Sequence, residues 1–470
     1  MSNTYLTRNI AAGDKRTNTF SFWLKRSANL SNTQYFFNAF GPGGFNDGSG
    51  NTDWMGFFVD NNNRFGFTTW SGGIQLKTSR MFRDVAAWYH LVFRFDTTQA
   101  SDTNKLQMYV NGEQQTIFQD DDYPSQNHDF NCFGSNTATF QIGNSVSGTH
   151  GSPSQNSQYF NGYIAQAIYT QGQSYAPTVF GSTNSNGVWV PNSSPSVTYG
   201  TNGFKLDFAN SGTNADANGF GADSSGQGNH FASNNLQTNP NTKDTPHNNF
   251  CTMSHIDKGS NAGTLTLGGL KMTNGTSGSA DNQKFRGTMA VAKGKWYFEM
   301  KKLANTASIG LLATEEKINQ TSASGMLVEY LHQGEMRYWN GSARVTKTTG
   351  IDAYTTNDIV GCALDMDNRR AYFSKNGFWQ GDPTPNPASS PSGAGQMAAI
   401  QTGFTMSPCF MDDTTASAGE AAMNFGNPPF TISSNSGNGN ADANGYGKFE
   451  YAVPSGYYAL CTKNIGAYGG

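Results

Sequence analysis

The chain has 470 residues, of which 36% are hydrophobic and 13% charged, with 55 glycines and a net charge of −3. Aromatic residues at 13% are too plentiful for a disordered chain. The lack of a basic stripe argues against a nucleic-acid partner, and the lack of any run of about 18 apolar residues argues against membrane insertion as a helix.

The length suggests roughly two to four domains. Little Lys and Glu beside abundant Gly, Asn, Ser, Thr and aromatic residues points to all-β structure with long loops. Residues 1–20 lack the apolar core of a secretory signal. The cysteines are Cys132, Cys251, Cys362, Cys409 and Cys461. Their spacing matches no zinc pattern and their number is odd, so they read as reduced thiols packed in strands. These features describe a protein made in a cytoplasm but carrying the surface of an extracellular binding protein.

In chain order, residues 19–27 (TFSFWLKRS) alternate Phe20, Phe22 and Leu24 on one face, with Trp23 on the other. Residues 60–67 read as a hairpin turn and its return strand. Tyr89, Leu91, Phe93 and Phe95, then Leu106, Met108 and Val110, alternate with period two. Asn111-Gly112 follows as a tight-turn pair, and together these predict two antiparallel strands. Residues 139–144 and 159–170 supply further strands, followed by FKLDF at 204–208 and ADSSGQGNHF at 222–231. Residues 236–250 are polar, contain Pro240 and Pro246, and read as a linker or crossover.

A second strand-rich region covers residues 264–273, 294–302 (Trp296, Phe298 and Met300 alternating) and 308–313. In residues 358–379, Ile359, Gly361 and Ala363 are predicted inward, then a turn at Asp367-Asn368, then Ala371 and Phe373. Residues 406–411 and 421–430 follow. No sustained heptads predict a coiled-coil stalk, and no short period predicts a β-helical shaft. The expected architecture is two β-sandwiches in tandem, residues 1–236 and 256–470, with a linker at 237–255.

NADANGFG at 214–221 and NADANGYG at 440–447 form one internal repeat. The first reading is a shared turn, in which Asp and Asn cap their own backbone and Gly takes positive φ. The alternative is a calcium loop, with Asp216, Asn218, Asp442 and Asn444 supplying hard oxygens; the glutamate an EF-hand needs is missing.

Glucanases on sandwich folds carry a Glu-x-Asp-x-x-Glu strand, in which period two sets carboxylates side by side. That spacing is absent. Glu315 and Glu316 would face opposite sides of a strand, while Glu329 and Glu335 flank a turn, and all four read as surface residues. His90 reads as a half-buried sheet residue. His230, His247 and His255 lack metal spacing, and Asp120, Asp121 and Asp122 read as a solvated loop. No nucleophile elbow, phosphate loop or dinucleotide fingerprint occurs, so the chain is expected not to be an enzyme. What remains is a binding surface. Sugars are held by stacking on aromatic faces and by amide hydrogen bonds, and loop aromatics beside Gly and Asn are the best candidates. These are Phe45, Asp53 and Trp54 in GPGGFNDGSGNTDW, Trp70 before Ser71-Gly72-Gly73, Tyr338 and Trp339 before Asn340-Gly341, and Trp379 after Asn376-Gly377.

The order FSFWLKR, WYHLVFRFD, LQMYVNG, FQIGN, FNGYIAQAIY resembles the laminin-G and pentraxin branch of the concanavalin A-like sandwiches. FKLDF with DSSGQGNHF resembles the opening of such domains but comes last here, which implies a circularly permuted first domain. KWYFEM, LDMDNRRAYFSKNG and NFG resemble the SPRY module. The whole order, from YLTR to NADANGYGKFEYAVPSGYYALCTKN, resembles proteins common in marine bacteriophage genomes that are assigned to tail fibres, spikes or other virion appendages. The chain departs from them in lacking a shaft or a long receptor domain after Asn464. The resemblance implies synthesis in the host bacterial cytoplasm, a place on the virion surface among other virion proteins, a homo-oligomer (a trimer by family habit), and a host surface glycan or receptor as ligand. Two alternatives stay open: a capsid-decoration or tail-assembly protein acting through protein contacts, and a polysaccharide depolymerase.

Overall fold

The computed structural model describes residues 4–27, 32–41, 54–69, 73–136, 138–149, 152–155, 158–236, 241–275, 283–389, 398–412 and 417–469. The chain divides into two compact units, Met1–His247 and Asn248–Gly470.

The strands of the first unit are β1 (Tyr5–Asn9), β2 (Thr17–Arg26), β3 (Gln34–Phe40), β4 (Trp54–Val59), β5 (Phe65–Thr69), β6 (Gln75–Thr78), β7 (Tyr89–Asp96), β8 (Leu106–Val110), β9 (Glu113–Gln115), β10 (Phe118–Asp122), β11 (Thr139–Ile142), β12 (Val146–Thr149), β13 (Ser152–Gln155), β14 (Gly162–Gln171), β15 (Gly181–Thr183), β16 (Trp189–Pro191), β17 (Phe204–Leu206) and β18 (Ala232–Asn234). An eight-stranded sheet runs β10-β6-β5-β4-β3-β11-β1-β18, and a six-stranded sheet runs β17-β14-β2-β7-β8-β9. Their inner faces meet in one aromatic core. Phe20, Phe22 and Leu24 of β2 and Leu91, Phe93 and Phe95 of β7 share it with Phe37, Phe57, Phe67 and Phe140 of the other sheet. Phe57 stacks on Phe93 at 4.2 Å, and Phe20 tilts against Phe37 at 5.0 Å. Each buried ring contributes about 1.5–3 kcal/mol of transfer free energy, and each pair geometry about 0.5–1.5 kcal/mol more. β17 pairs with β14 and β18 with β1. Strands from the end of the unit therefore complete one edge of each sheet.

The outer face of the six-stranded sheet is also covered. Val92, Tyr109 and Ile168 pack against Phe180 in the segment after β14. The β15–β16 hairpin sets Trp189 over the Asn111-Gly112 turn, where both residues have positive φ. A Cβ on Gly112 would lie 2.7 Å from the indole. His90 is stacked between Trp23 and Trp189, with centroids at 4.8 and 6.0 Å. Trp189 Nε1 donates to His90 Nδ1 at 2.9 Å. An indole can only donate, so the imidazole carries its proton on Nε2 and donates to Ser21 Oγ at 2.8 Å. Burial pushes the His90 pKa down to about 3.

Residues 241–247 group with the first unit and Asn248 onward with the second. Asp244 belongs to the first unit, where its carboxylate accepts from Lys25 Nζ at 2.5 Å and Trp88 Nε1 at 2.9 Å. Met253–Lys258 is already an edge strand of the second unit.

The second unit has two sheets. One runs Met253–Lys258, Lys284–Gly287, Met406–Asp412, Ala307–Ala313, Leu327–Leu331, Glu335–Trp339, Arg344–Lys347. The other is built on Thr264–Thr266, Lys271–Thr273, Glu420–Asn424, Lys295–Ala304, Ile359–Asp365, Arg370–Lys375 and Phe378–Trp379. Trp296, Phe298 and Met300 face the shared core, as the alternation predicts. In Ile359–Asp365 the inward residues are Val360, Cys362 and Leu364, the reverse of the expected set. The cause is that this sheet is buried on both faces: Phe449, Tyr457, Ala459 and Cys461 pack over Tyr297, Ala363 and Tyr372 on its outer side. A strand apolar on both faces carries no alternation to choose between them. All five cysteines are buried thiols outside disulfide bonds. Among the described residues, no helix is long and apolar enough to cross a membrane.

Candidate ligand-binding site

Phe45, Asp53 and Trp70 lie outside the described residues. Trp54 corrects its sequence reading: it is not a loop platform but the first residue of β4, and only 3% exposed. It faces outward opposite Phe40, packs with Phe40 and Val146, and meets the Tyr35 ring at 5.7 Å. Its indole leans over Gly56, where a Cβ would lie 2.9 Å from the ring. The Gly/Asn-rich run before it disguises the strand's beginning. Farther along the same face the surface is polar. Gln75 donates to Asp122 at 2.9 Å, and Lys77 pairs with Asp120. Trp379 is half-buried and packs on the apolar cluster beneath the C-terminal segment.

Tyr338 and Trp339 differ. Both are half-buried, with part of each packed on the core of the second unit. They end the strand Glu335–Trp339, which the Asn340-Gly341 turn reverses. Asn340 Oδ1 accepts from the Ser342 and Ala343 amides at 3.0 Å each, and Gly341 takes φ +104°. Trp339 meets Phe404 edge-on at 6.3 Å, and Arg344 is its cross-strand partner. Arg369 Nη1 donates to the Phe404 carbonyl at 2.8 Å. Burial raises the Tyr338 hydroxyl pKa, opposed by the charge of Arg370. Trp339 and Phe404, with Arg344 across the strand from one and Arg369 bonded to the carbonyl of the other, make an amphipathic surface step. Phe404, Arg344, Arg369 and Arg370 were not singled out in the sequence. Arg369-Arg370 after Asp367-Asn368 is the one local signal, because it places cations at a turn.

The repeat forms turns in both copies. Asp216 Oδ1 accepts from the Asn218 amide at 2.8 Å, and Asp442 Oδ1 accepts from the Asn444 and Tyr446 amides at 2.9 Å each. Asp442 Oδ2 takes the Ala459 amide at 2.9 Å and Asn464 Nδ2 at 2.8 Å. Four donors thus share the carboxylate, and the one from Asn464 ties the loop to the C-terminal helix Thr462–Tyr468. Among the described residues no three acidic, His or Cys side chains gather as a metal site. We expect Asp442→Ala to lower the stability of the second unit by about 2–4 kcal/mol. Adding calcium should leave the melting temperature of parent and variant unchanged.

The carboxylates are engaged with the chain itself. Glu315 accepts the Thr405 amide at 3.1 Å, and Glu316 accepts the Met326 amide at 3.0 Å. Glu329 takes Ser322 Oγ at 2.6 Å, and burial raises its pKa. Glu335 holds Arg337 at 2.5 Å. Glu299, not singled out in the sequence, is buried and accepts four hydrogen bonds, from Tyr297 Oη, Asn424 Nδ2 and the amides of Glu450 and Tyr451. Burial outweighs those donors and pushes its carboxyl up to about 7.

Residues 2–171 match the family model of the concanavalin A-like lectin/glucanases superfamily, Laminin_G_3. No curated protein matches the chain significantly. Among solved structures, a heptameric SAP-like pentraxin from Limulus polyphemus is 14% identical, over 37% of this chain and 72% of that one, at a TM-score of 0.28. The SPRY domain of human HERC1 is 18% identical, over 33% and 87%, at 0.25. A putative carbohydrate-binding protein from Bacteroides ovatus is 16% identical, over 50% and 56%, at 0.32. At such identities and scores, the fold is read from the chain's own sheets. The class is an all-β protein of two sandwiches, the first matching a superfamily of lectins and glucanases, which fits carbohydrate binding.

Proposed function

We propose that this chain recognises glycans without catalysis, as a tail fibre, spike or knob on the surface of a virus that infects bacteria. The Trp339–Phe404 pair carries the glycan reading: it is a partly open aromatic surface beside hydrogen-bond donors. The superfamily match of the first unit supports it. The viral setting rests on the resemblance in residue order along the whole chain. Weak sites repeated on a homo-oligomer, a trimer in this reading, would add up to avidity on a host surface.

Trp339→Ala should weaken binding to any glycan the parent retains by about tenfold or more, with the fold kept. A glycan array followed by calorimetry on the positive glycans checks this, and unchanged affinity would remove the site. A second reading is capsid decoration or tail assembly through protein contacts. It is favoured by the exposure of Ile256 (72%) and Leu267 (54%), the latter in a left-handed turn. Antibody labelling of purified particles separates the two, at the tail tip for adhesion or over the capsid for decoration. Release of reducing ends from host polysaccharide would instead establish a depolymerase.

A further inference from the structure

Two arginines flank the Trp339–Phe404 pair, and a third follows directly in the chain. Arg344 is the cross-strand partner of Trp339. Arg369 reaches the Phe404 carbonyl, and Arg370 Nη1 donates to the Arg369 carbonyl at 2.9 Å. Each guanidinium offers five donors. Among the described residues none of the three is in an ion pair, and Arg370 Nε is enclosed without an acceptor. The neighbouring carboxylates are already held. Glu315 binds the Thr405 amide, Asp365 holds Lys295 at 3.1 Å and Asn368 at 2.9 Å, and Glu329, within the field of Arg344, is buried against Ser322. Arg369 also sits at φ +55°, a left-handed conformation that strains a side-chain-bearing residue.

An aromatic face takes the C–H side of a sugar ring, while a guanidinium takes a planar oxyanion through two parallel hydrogen bonds. We propose that this end of the second unit binds an acidic saccharide, a uronate or a sulfated sugar, with the ring on Trp339 and Phe404 and the anionic group on Arg369 and Arg344. The proposal rests on the glycan reading above and narrows it to charged sugars.

The test is calorimetry of the full-length chain with oligogalacturonate, with its methyl ester, and with a sulfated galacto-oligosaccharide. The methyl ester is the same sugar with its charge removed. Expected is binding of at least one acidic probe, about tenfold tighter than the ester and weakening as salt rises. The preferred arm tells carboxylate from sulfate. Arg344→Gln and Arg369→Gln should each lose about tenfold on the acidic probe and leave affinity for the ester unmoved. Melting temperatures identify a variant that has merely unfolded, and Arg344, exposed on an edge strand, is the safer of the two. Equal binding of acid and ester, or arginine variants that bind like the parent, overturns the charge proposal while glycan recognition at Trp339 stands. Failure of the parent on these probes overturns the charge proposal. Failure on a broad neutral array as well overturns both.

Discussion

Asp244→Ala should destabilise the first unit by about 3–5 kcal/mol. Lys25 and Asp244 are 0% and 1% exposed in their side chains and meet at 2.5 Å. Removing the carboxylate leaves an ammonium in a site that water does not reach, and also strips Trp88 Nε1 of its acceptor. Lys25→Met with Asp244→Leu should recover much of the loss, because both desolvation penalties vanish together. Urea denaturation followed by tryptophan fluorescence checks both. A single variant with the parent's midpoint would mean that the pair does not hold residues 241–247 to the sandwich.

The first unit should also lose stability in acid. Burial pushes His90 from 6.5 to about 3. A base with a depressed folded pKa is protonated first in the unfolded chain. Stability is therefore full above 6.5 and falls as pH drops from 6.5 toward 3. At about 1.4 kcal/mol per pH unit the loss approaches about 5 kcal/mol. His90→Phe keeps an aromatic ring in the stack and gives up two hydrogen bonds, so it should be less stable at neutral pH but flatter through that window. Glu299 in the second unit has the opposite sign. Its carboxyl is pushed up from 4.5 to about 7, so its contribution is present below 4.5 and is lost as pH rises to 7. Melting curves between pH 4 and 8 should show the two units moving in opposite directions, and parallel movement would refute the assignment.

Much of the fold was legible because one face of many strands is fully buried while the other differs from it. The Tyr89–Phe95 and Leu106–Val110 alternation, the Asn111-Gly112 turn, and Trp23 opposite Phe22 and Leu24 all follow from period two. The reversal at Val360, Cys362 and Leu364 marks the limit. Once a terminal segment covers the outer face, both sets of side chains are apolar and the pattern has no direction. Trp54 failed for a related reason. Its loop-like neighbours are local, but its burial comes from Phe40 and Val146, which reach it only through sheet pairing. The arginine cluster was illegible because Arg344, Arg369 and Phe404 come from separate segments. Strand pairing together with the packing of one sheet on the other brings them together, and no spacing along the chain encodes that.

The five buried thiols have a practical consequence. Cys132 is the first unit's cysteine, while Cys251, Cys362, Cys409 and Cys461 belong to the second. Burial raises the thiol pKa at Cys362, Cys409 and Cys461, which suppresses the reactive thiolate. Alkylation in the native state must therefore wait for local or global opening. Mass spectrometry of which cysteine is capped, and how fast, would clock the two units separately without an added label, so the opposite pH trends predicted above can be assigned to their halves of the chain in a single tube.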